Sequence, residues 1–249
     1  MSYINTLLFF TVILFANIMQ GITGFAGTIL AMPFSLILMG YPVAKPILNV
    51  LGLLSGVYVF MGFRDRVNWC ELRNIVIVMT VGIFLGIFIK GSFAGREILL
   101  YKALGVFVIL LSFAGLLRYH KAKDFDARGT GGGKNISFLL LPMAGIVHGI
   151  FVSGGPLLIS YLTRRITDKT EFRATISTVW IILNSIVLFD DIRAGFWNMP
   201  LCVVFAFSLP FLFAGMKIGS ILYSRMSQRA FMVLTYVLLF ISGVTLLLK

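Results

Sequence analysis

Two short segments place glycines and small polar side chains inside apolar stretches of the chain. The first is GITGFAGTILAMP (21–33), within a run from Ile4 to Gly40 that has no charged side chain. The second is HGIFVSGGP (148–156), which interrupts the apolar run 136–163. Glycine adopts backbone angles that other residues resist, and Pro156 suits the start of a helix because its missing N–H would be unpaired there. Both segments are therefore predicted to break one helix and begin another.

A helix that begins inside a membrane offers unpaired N–H groups and the positive end of its dipole, which is the chemistry of an anion site. The second arms are expected to begin near Thr28 and Pro156, with their N-termini directed toward the midplane from opposite sides. The residues predicted to bind the substrate are Gln20, Thr23, Gly24, Phe25, Ala26, Gly27, Thr28, Asn49, His148, Ser153, Gly154, Gly155, Pro156, Ser177 and Asn184. No catalytic residue, metal ligand or cofactor is predicted.

These residue types also have structural interpretations. Glycines let helices pack closely, and a buried serine or threonine commonly bonds the backbone of its own helix. Gln20, Asn49 and Asn184 fit either substrate binding or hydrogen bonding between helices, and His148 fits either a structural donor or a proton carrier. The residue types alone leave both interpretations open.

Composition identifies the class of protein that must position these residues. Of 249 residues, 59% are hydrophobic and 12% charged, with a mean hydropathy of +1.00, whereas soluble domains average about 25% charged residues. The sequence therefore predicts an all-α polytopic membrane protein. The net charge of +12 comes from basic residues between apolar runs, which indicates membrane topology and not nucleic-acid binding. Single spans of about 20 apolar residues are predicted at 43–63, 74–93, 98–117, 174–192, 199–222 and 230–248.

The two halves of the chain resemble each other at one constant offset. Gln20-Gly21-Ile22 aligns with His148-Gly149-Ile150, and the same offset aligns Trp69 with Trp197. Each half has a glycine-broken segment followed by three spans. We predict a first membrane repeat (1–117), a polar, glycine-rich linker (118–135) and a second membrane repeat (136–249).

The distribution of lysine and arginine tests how the broken segments cross the membrane, because basic residues mark the cytoplasmic side. If each broken segment crosses once, the 21 basic residues divide 11 to 10. If each folds back as a hairpin, they divide 15 to 6, with the linker on the cytoplasmic side. We therefore predict two inverted repeats, each a broken helical hairpin plus three transmembrane helices, the architecture of many secondary transporters.

The nine carboxylates all lie in loops or near the ends of predicted spans. Carriers coupled to protons or cations commonly need a carboxylate at membrane depth. An anion exporter does not, since the membrane potential favours anion exit by about 2.3 kcal/mol per charge at 100 mV. This distribution argues against a cation or metal permease.

Several segments together resemble the sulfite exporter TauE/SafE family over essentially the whole chain. They are GITGFAGTILAMPFSLILMGYPVAKPILN (21–49), GGP (154–156), RAT (173–175) and RAGFW (193–197). The resemblance implies a bacterial inner-membrane permease for small anions, typically sulfite or organosulfonates such as sulfoacetate. The chain departs from the family pattern at Gly24-Phe25-Ala26-Gly27, where many members have a glycine run, and at Asn49-Val50, where a lysine often follows the asparagine.

The leading hypothesis is a secondary transporter of small anions that alternates access around a midplane site. A passive anion channel or uniporter and a non-transporting membrane scaffold remain alternatives. An enzyme is disfavoured because the sequence has no HExxH motif, no paired carboxylates and no serine-histidine-acid set at usable spacing. The predicted partners are a small anionic substrate and the lipid bilayer, with no nucleic acid, and the sequence leaves the oligomeric state undetermined.

Overall fold

The computed structural model describes residues 3–89, scattered residues between 102 and 117, and residues 134–151 and 154–247. Within these ranges the chain forms α-helices and a short 3₁₀ turn at Arg64–Arg66, with no strand. The helices are α1 (Tyr3–Thr23), α2 (Ala26–Met39), α3 (Tyr41–Phe63), α4 (Trp69–Ile89), α5 (Lys134–Phe151), α6 (Gly155–Leu162), α7 (Lys169–Arg193), α8 (Met199–Arg225) and α9 (Gln228–Leu247). The prediction of an all-α polytopic membrane protein is confirmed.

Six described helices are long and apolar enough to cross a membrane: α1, α3, α4, α7, α8 and α9. The predicted spans 43–63, 174–192, 199–222 and 230–248 match α3, α7, α8 and α9 to within a few residues. Span 74–93 corresponds to α4, which begins earlier, at Trp69. Residues 90–93, most of span 98–117, the linker as far as residue 133, and Ser153 lie outside the described residues.

Large apolar side chains cover the outer surfaces of these helices. Phe88 is 87% exposed, and Phe15 and Phe207 are also well exposed. A soluble monomer rarely exposes extended apolar surface of this kind. The exposed phenylalanines therefore fit contact with lipid tails.

The chain reverses direction at both predicted breaks. Between α1 and α2, Gly24 has a φ of 82°, and a Cβ atom at Gly27 would lie 3.0 Å from the carbonyl oxygen of Ala16. Continuous helix from Ala16 to Gly27 would rise about 16 Å, so α2 folds back along α1. The second break does the same, because a Cβ atom at Gly154 would collide with the carbonyl oxygen of Ala144.

The second arms of these reversals are short. Helix α2 has 14 residues and α6 has 8, or about 21 and 12 Å of helix, against a hydrocarbon core of about 30 Å. Neither arm can cross a bilayer alone. That each pair enters and leaves the membrane on the same side stays a prediction.

Helix boundaries recur at the offset found in the sequence. Helix α3 begins at Tyr41 and α7 at Lys169, two positions that this offset aligns. Helix α1 ends at Thr23 and α5 at Phe151, which the same offset also aligns. The repeated order of helices follows the sequence similarity, and the inverted orientation of the halves stays a prediction.

The described chain packs as two compact units. Unit 1 comprises Met1–Val76 and Arg173–Met226, and unit 2 comprises Ile77–Phe172 and Ser227–Lys249. Each unit contains segments from both halves of the sequence. The proposed repeat boundaries at residues 117 and 136 therefore describe similarity between the two halves of the sequence. The two packing units group the helices differently.

Glycines bring the first arm of each break against a helix from the other half of the sequence. In unit 1, a Cβ atom at Gly21 of α1 would lie 3.0 Å from the Cα atom of Gly219 of α8. In unit 2, a Cβ atom at Gly145 of α5 would lie 2.9 Å from the Cα atom of Gly82 of α4. Close helix packing therefore accounts for these four glycines.

Candidate functional site

Side chains of α1 cap the start of α2. The hydroxyl oxygen of Thr23 accepts a hydrogen bond from the N–H of Ala26 at 3.1 Å and a longer one from Phe25. The amide oxygen of Gln20 accepts from the N–H of Gly27 at 2.8 Å. Helices ordinarily leave their first N–H groups unpaired, and the sequence predicts that those of α2 bind the substrate. In the structure Thr23 and Gln20 accept from these N–H groups instead. A ligand that reached these N–H groups would have to displace both side chains.

Gln20 also ties the break to α3. Its amide nitrogen donates to the carbonyl oxygen of Gly24 at 3.2 Å and to the hydroxyl of Ser55 at 3.1 Å. Ser55 in turn donates to the carbonyl oxygen of Gly52 at 2.8 Å. Ser55 is fully buried and is absent from the residues predicted from the sequence, where nothing distinguishes it from a serine that bonds its own helix.

Helices α3 and α7 run antiparallel within unit 1. Asn49 donates through its side-chain amide to the carbonyl oxygen of Asn184 at 3.1 Å. A Cβ atom at Gly52 would lie 2.8 Å from the amide nitrogen of Asn184 and 3.2 Å from the hydroxyl oxygen of Thr28. Three predicted site residues, one each from α2, α3 and α7, thus meet around Gly52.

A second contact lies closer to the break. Gly24 occupies the left-handed region, and a Cβ atom there would lie 2.6 Å from the hydroxyl oxygen of Ser177 and 3.1 Å from the carbonyl oxygen of Arg173. A Cβ atom at Gly56 of α3 would lie 2.6 Å from the carbonyl oxygen of Ser177. Glycine at 24 and 56 lets the break, α3 and α7 approach each other at Ser177.

Three side chains of this region have buried oxygen atoms without a hydrogen-bond partner among the described residues. They are the side-chain oxygens of Asn49, Ser177 and Asn184. An unsatisfied buried polar atom costs about 1–3 kcal/mol. We call these three side chains the polar layer of unit 1.

The structure gathers ten of the fifteen predicted site residues in unit 1. These are Gln20, Thr23, Gly24, Phe25, Ala26, Gly27, Thr28, Asn49, Ser177 and Asn184. His148, Gly154, Gly155 and Pro156 belong to unit 2, and Ser153 lies outside the described residues.

The four described site residues of unit 2 surround the start of α6. Pro156 occupies the first turn of this helix, as predicted. His148 is buried, and a Cβ atom at Gly154 would lie 2.8 Å from its Cβ atom. His148 therefore packs directly against the second break, as Gln20 packs against the first.

Two buried cations in unit 1 are absent from the predicted site. Lys45 of α3 forms an ion pair with Asp191 of α7, and both side chains are fully buried. The ammonium group of Lys45 also lies 5.6 Å from the centre of the Phe196 ring. The prediction that Asp191 lies near a span end is correct, but it did not indicate that the carboxylate is buried and paired.

Arg173 of α7 is the second buried cation, and it is 1% exposed. Its Nη2 atom donates to the hydroxyl of Ser220 at 2.9 Å. Its guanidinium carbon lies 4.4 Å from the centre of the Tyr223 ring and 5.1 Å from that of Phe63, within the range of cation–π attraction. The offset between the halves aligns Lys45 with Arg173, a signal in the sequence that identifies both residues.

The chain matches known proteins at the level of a family. The model of the family described as "Sulfite exporter TauE/SafE" matches residues 9–246. The chain is also 27% identical over 189 residues to the "Probable inner membrane transporter protein TsaS" of Comamonas testosteroni, which covers 75% of this chain and 74% of that protein. No solved structure gives a significant match.

Proposed function

The chain belongs to the sulfite exporter TauE/SafE family, and we propose that it carries small anions, sulfite or an organosulfonate such as sulfoacetate, by alternating access. The coarser function is established: it is a multi-pass inner-membrane transporter, as are the family and the curated relative. A transporter family also agrees with the prediction that the chain is not an enzyme.

The polar layer of unit 1 is the observation that carries this proposal. Its three side chains lie on α3 and α7 beside the α1–α2 break, and each has a buried oxygen without a partner in the described part of the chain. A packed protein interior rarely retains such groups. The Ser177 hydroxyl can donate to a ligand among these helices, and a donor group of the ligand or a water molecule bound with it would satisfy the oxygens of Asn49 and Asn184.

Two features favour an anion as that ligand. The N-terminal end of α2 carries the positive end of the helix dipole, and its caps, Gln20 and Thr23, are neutral and do not cancel it. The Ser177 hydroxyl can also donate to an anion, whereas the unpaired oxygens of Asn49 and Asn184 are acceptors. The family description names sulfite, which fits this chemistry.

The burial of the polar layer favours a carrier over a passive channel. Asn49 and Ser177 are fully buried and Asn184 nearly so. A conducting pore leaves its lining residues in contact with water, whereas a carrier can enclose its site between loading and release. The site must therefore open by a change of conformation, which is the premise of alternating access.

Thermal unfolding of the purified protein tests the anion site. Sulfite, sulfoacetate, taurine, acetate, phosphate and chloride are added separately, and the midpoint is followed by intrinsic tryptophan fluorescence. A ligand at 100 times its dissociation constant stabilises the folded state by about 2.7 kcal/mol. We expect a shift with sulfite or sulfoacetate and none with taurine, whose sulfonate is balanced by an ammonium group.

Matched serine variants on α7 test whether the ligand-induced shift of the unfolding midpoint depends on the polar layer. Ser177→Ala removes a hydroxyl of the polar layer, whereas Ser185→Ala removes an exposed hydroxyl that bonds only the carbonyl oxygen of Ile181. The ligand-induced shift should fall in Ser177→Ala and persist in Ser185→Ala. Absence of a shift with every anion in the unmodified protein would contradict the proposed function and favour a scaffold.

A further inference from the structure

We propose that Arg173 is the residue of unit 1 that recognises the substrate's charge, and that its guanidinium group binds two oxygen atoms of an oxyanion at once. The inference rests on the proposed anion transport and adds the recognition residue and the shape of the ligand.

Arg173 is a buried charge without a carboxylate partner among the described residues. One hydroxyl, that of Ser220, accepts from its Nη2 atom, and the rings of Phe63 and Tyr223 lie beside it. Its Nε and Nη1 atoms have no hydrogen-bond partner in the described chain. A buried charge is ordinarily paired and fully hydrogen-bonded, so this guanidinium lacks the counter-ion that a buried charge needs within the described part of the chain.

The equivalent cation of the first half provides the contrast. Lys45 aligns with Arg173 at the offset between the halves, and Asp191 neutralises it. The residue that aligns with Asp191 is Phe63, whose ring lies 5.1 Å from the Arg173 guanidinium carbon. The chain therefore has an aromatic ring beside Arg173 at the position where a carboxylate pairs with Lys45.

The free donors of Arg173 suit an oxyanion. A guanidinium has five N–H groups, and four of them form two forked edges, Nε with Nη2 and Nη1 with Nη2. Ser220 accepts one hydrogen from Nη2, and Nη2 has one hydrogen on each edge. Whichever hydrogen Ser220 takes, one edge keeps both of its donors. Two parallel N–H groups match two oxygens of a sulfonate, sulfite or carboxylate, whereas chloride offers a single acceptor for both.

The position of Arg173 connects it to the polar layer. It lies one helical turn before Ser177, on the same face of α7, and its carbonyl oxygen would lie 3.1 Å from a Cβ atom at Gly24. Ser220, its hydroxyl partner, follows Gly219, which packs against Gly21 of α1. Arg173 thus belongs to the surroundings of the α1–α2 break, and since it is buried, the anion reaches it when the site opens.

The test compares the binding of two anions to the full-length protein in detergent or nanodiscs. Dissociation constants for ethanesulfonate and chloride are measured by titration of intrinsic fluorescence. The proteins are the unmodified chain, Arg173→Gln, Arg173→Lys and the doubly substituted control Lys45→Gln/Asp191→Asn. The control removes the paired cation and its partner together and leaves the pair uncharged.

We expect Arg173→Gln to lose saturable ethanesulfonate binding. Arg173→Lys keeps the charge but not the fork, so it should bind ethanesulfonate at least about tenfold more weakly with little change for chloride. The double control should keep the unmodified preference for ethanesulfonate over chloride. If Arg173→Gln does not fold, the change of anion preference in Arg173→Lys decides the question.

Two results would overturn the inference in different ways. If the unmodified protein and Arg173→Lys bind ethanesulfonate with the same affinity and the same preference over chloride, Arg173 is not the recognition residue, although anion transport stands. If the unmodified protein binds neither anion saturably, the inference fails, and the thermal shifts with sulfite and sulfoacetate decide the proposed function separately.

Discussion

The buried cations at the two ends of the α3–α7 pair have different partners. At one end Lys45 pairs with Asp191, and at the other Arg173 has two aromatic rings and a hydroxyl but no carboxylate among the described residues. The two cations occupy equivalent positions of the two halves. A cation therefore lies at both ends, and of the two only Lys45 has a carboxylate partner among the described residues. The Lys45–Asp191 ion pair can hold α3 against α7 at one end, and the Arg173 guanidinium can bind a ligand at the other.

The largest expected effect comes from breaking the paired end. Asp191→Asn leaves the Lys45 charge buried without its counter-ion, which should cost about 3–5 kcal/mol of stability. Thermal and denaturant unfolding in detergent measure this loss. Adding Lys45→Met should restore most of the stability, because no unpaired charge then remains. A double variant as unstable as Asp191→Asn alone would show that the unpaired charge of Lys45 is not the cause of the loss.

The second largest loss of stability is expected at the α1–α2 break, beside Arg173. Gly24→Ala places a Cβ atom in a left-handed conformation and 2.6 Å from the hydroxyl oxygen of Ser177, with an expected cost of about 1–3 kcal/mol. Gly62→Ala is the control, since no atom of the described chain lies within 4 Å of a Cβ there. The unfolding midpoint should fall for Gly24→Ala and not for Gly62→Ala. Equal midpoints would contradict the close approach of the break to α7.

A smaller effect is expected from the cap of α2. Thr23→Ala removes the acceptor for the N–H of Ala26, which should cost about 1 kcal/mol. Thr11→Ala, which removes an exposed hydroxyl bonded to the carbonyl oxygen of Leu7, should change stability less. Unfolding free energies of the two variants in the same detergent compare them. Indistinguishable values would indicate that the Thr23 cap contributes nothing.

The smallest expected effect on stability comes from the unpaired end. Arg173→Met loses cation–π attraction of about 0.5–2 kcal/mol but also removes an unpaired buried charge. The two terms oppose each other, so we expect a net change within about 1 kcal/mol. The difference in stability loss between Arg173→Met and Asp191→Asn is the sharpest test of the contrast between the two ends. A loss as large as that of Asp191→Asn would make Arg173 a structural residue.

The sequence predicted the features that depend on local chemistry. Glycine and Pro156 located both breaks, whereas the predicted spans began at 43 and 174 and missed the equivalent starts of α3 at Tyr41 and α7 at Lys169. Asn49, Ser177 and Asn184, which the sequence predicted as substrate-binding residues, all belong to unit 1 and line the α3–α7 interface; that they bind the substrate stays a prediction.

Features that depend on tertiary packing could not be predicted in the same way. Lys45 and Asp191 are 146 residues apart, and a charge near the end of a span ordinarily lies at the membrane interface. Burial of such a charge depends on which helix packs beside it, and that information is not local. The roles of Gln20 and Thr23 as caps likewise require the reversal of α2 along α1, which places their oxygens on its first N–H groups.

Counterflow in proteoliposomes tests the central claim, carrier-mediated anion transport through the site of unit 1, most directly. Vesicles loaded with excess unlabelled sulfoacetate are diluted into radiolabelled sulfoacetate, with Asn49→Ala as the site variant and Ser185→Ala as the control. We expect transient accumulation of label above equilibrium for the unmodified protein and Ser185→Ala, with a marked loss for Asn49→Ala. Equilibration without overshoot, or equal overshoot in all three proteins, would contradict it.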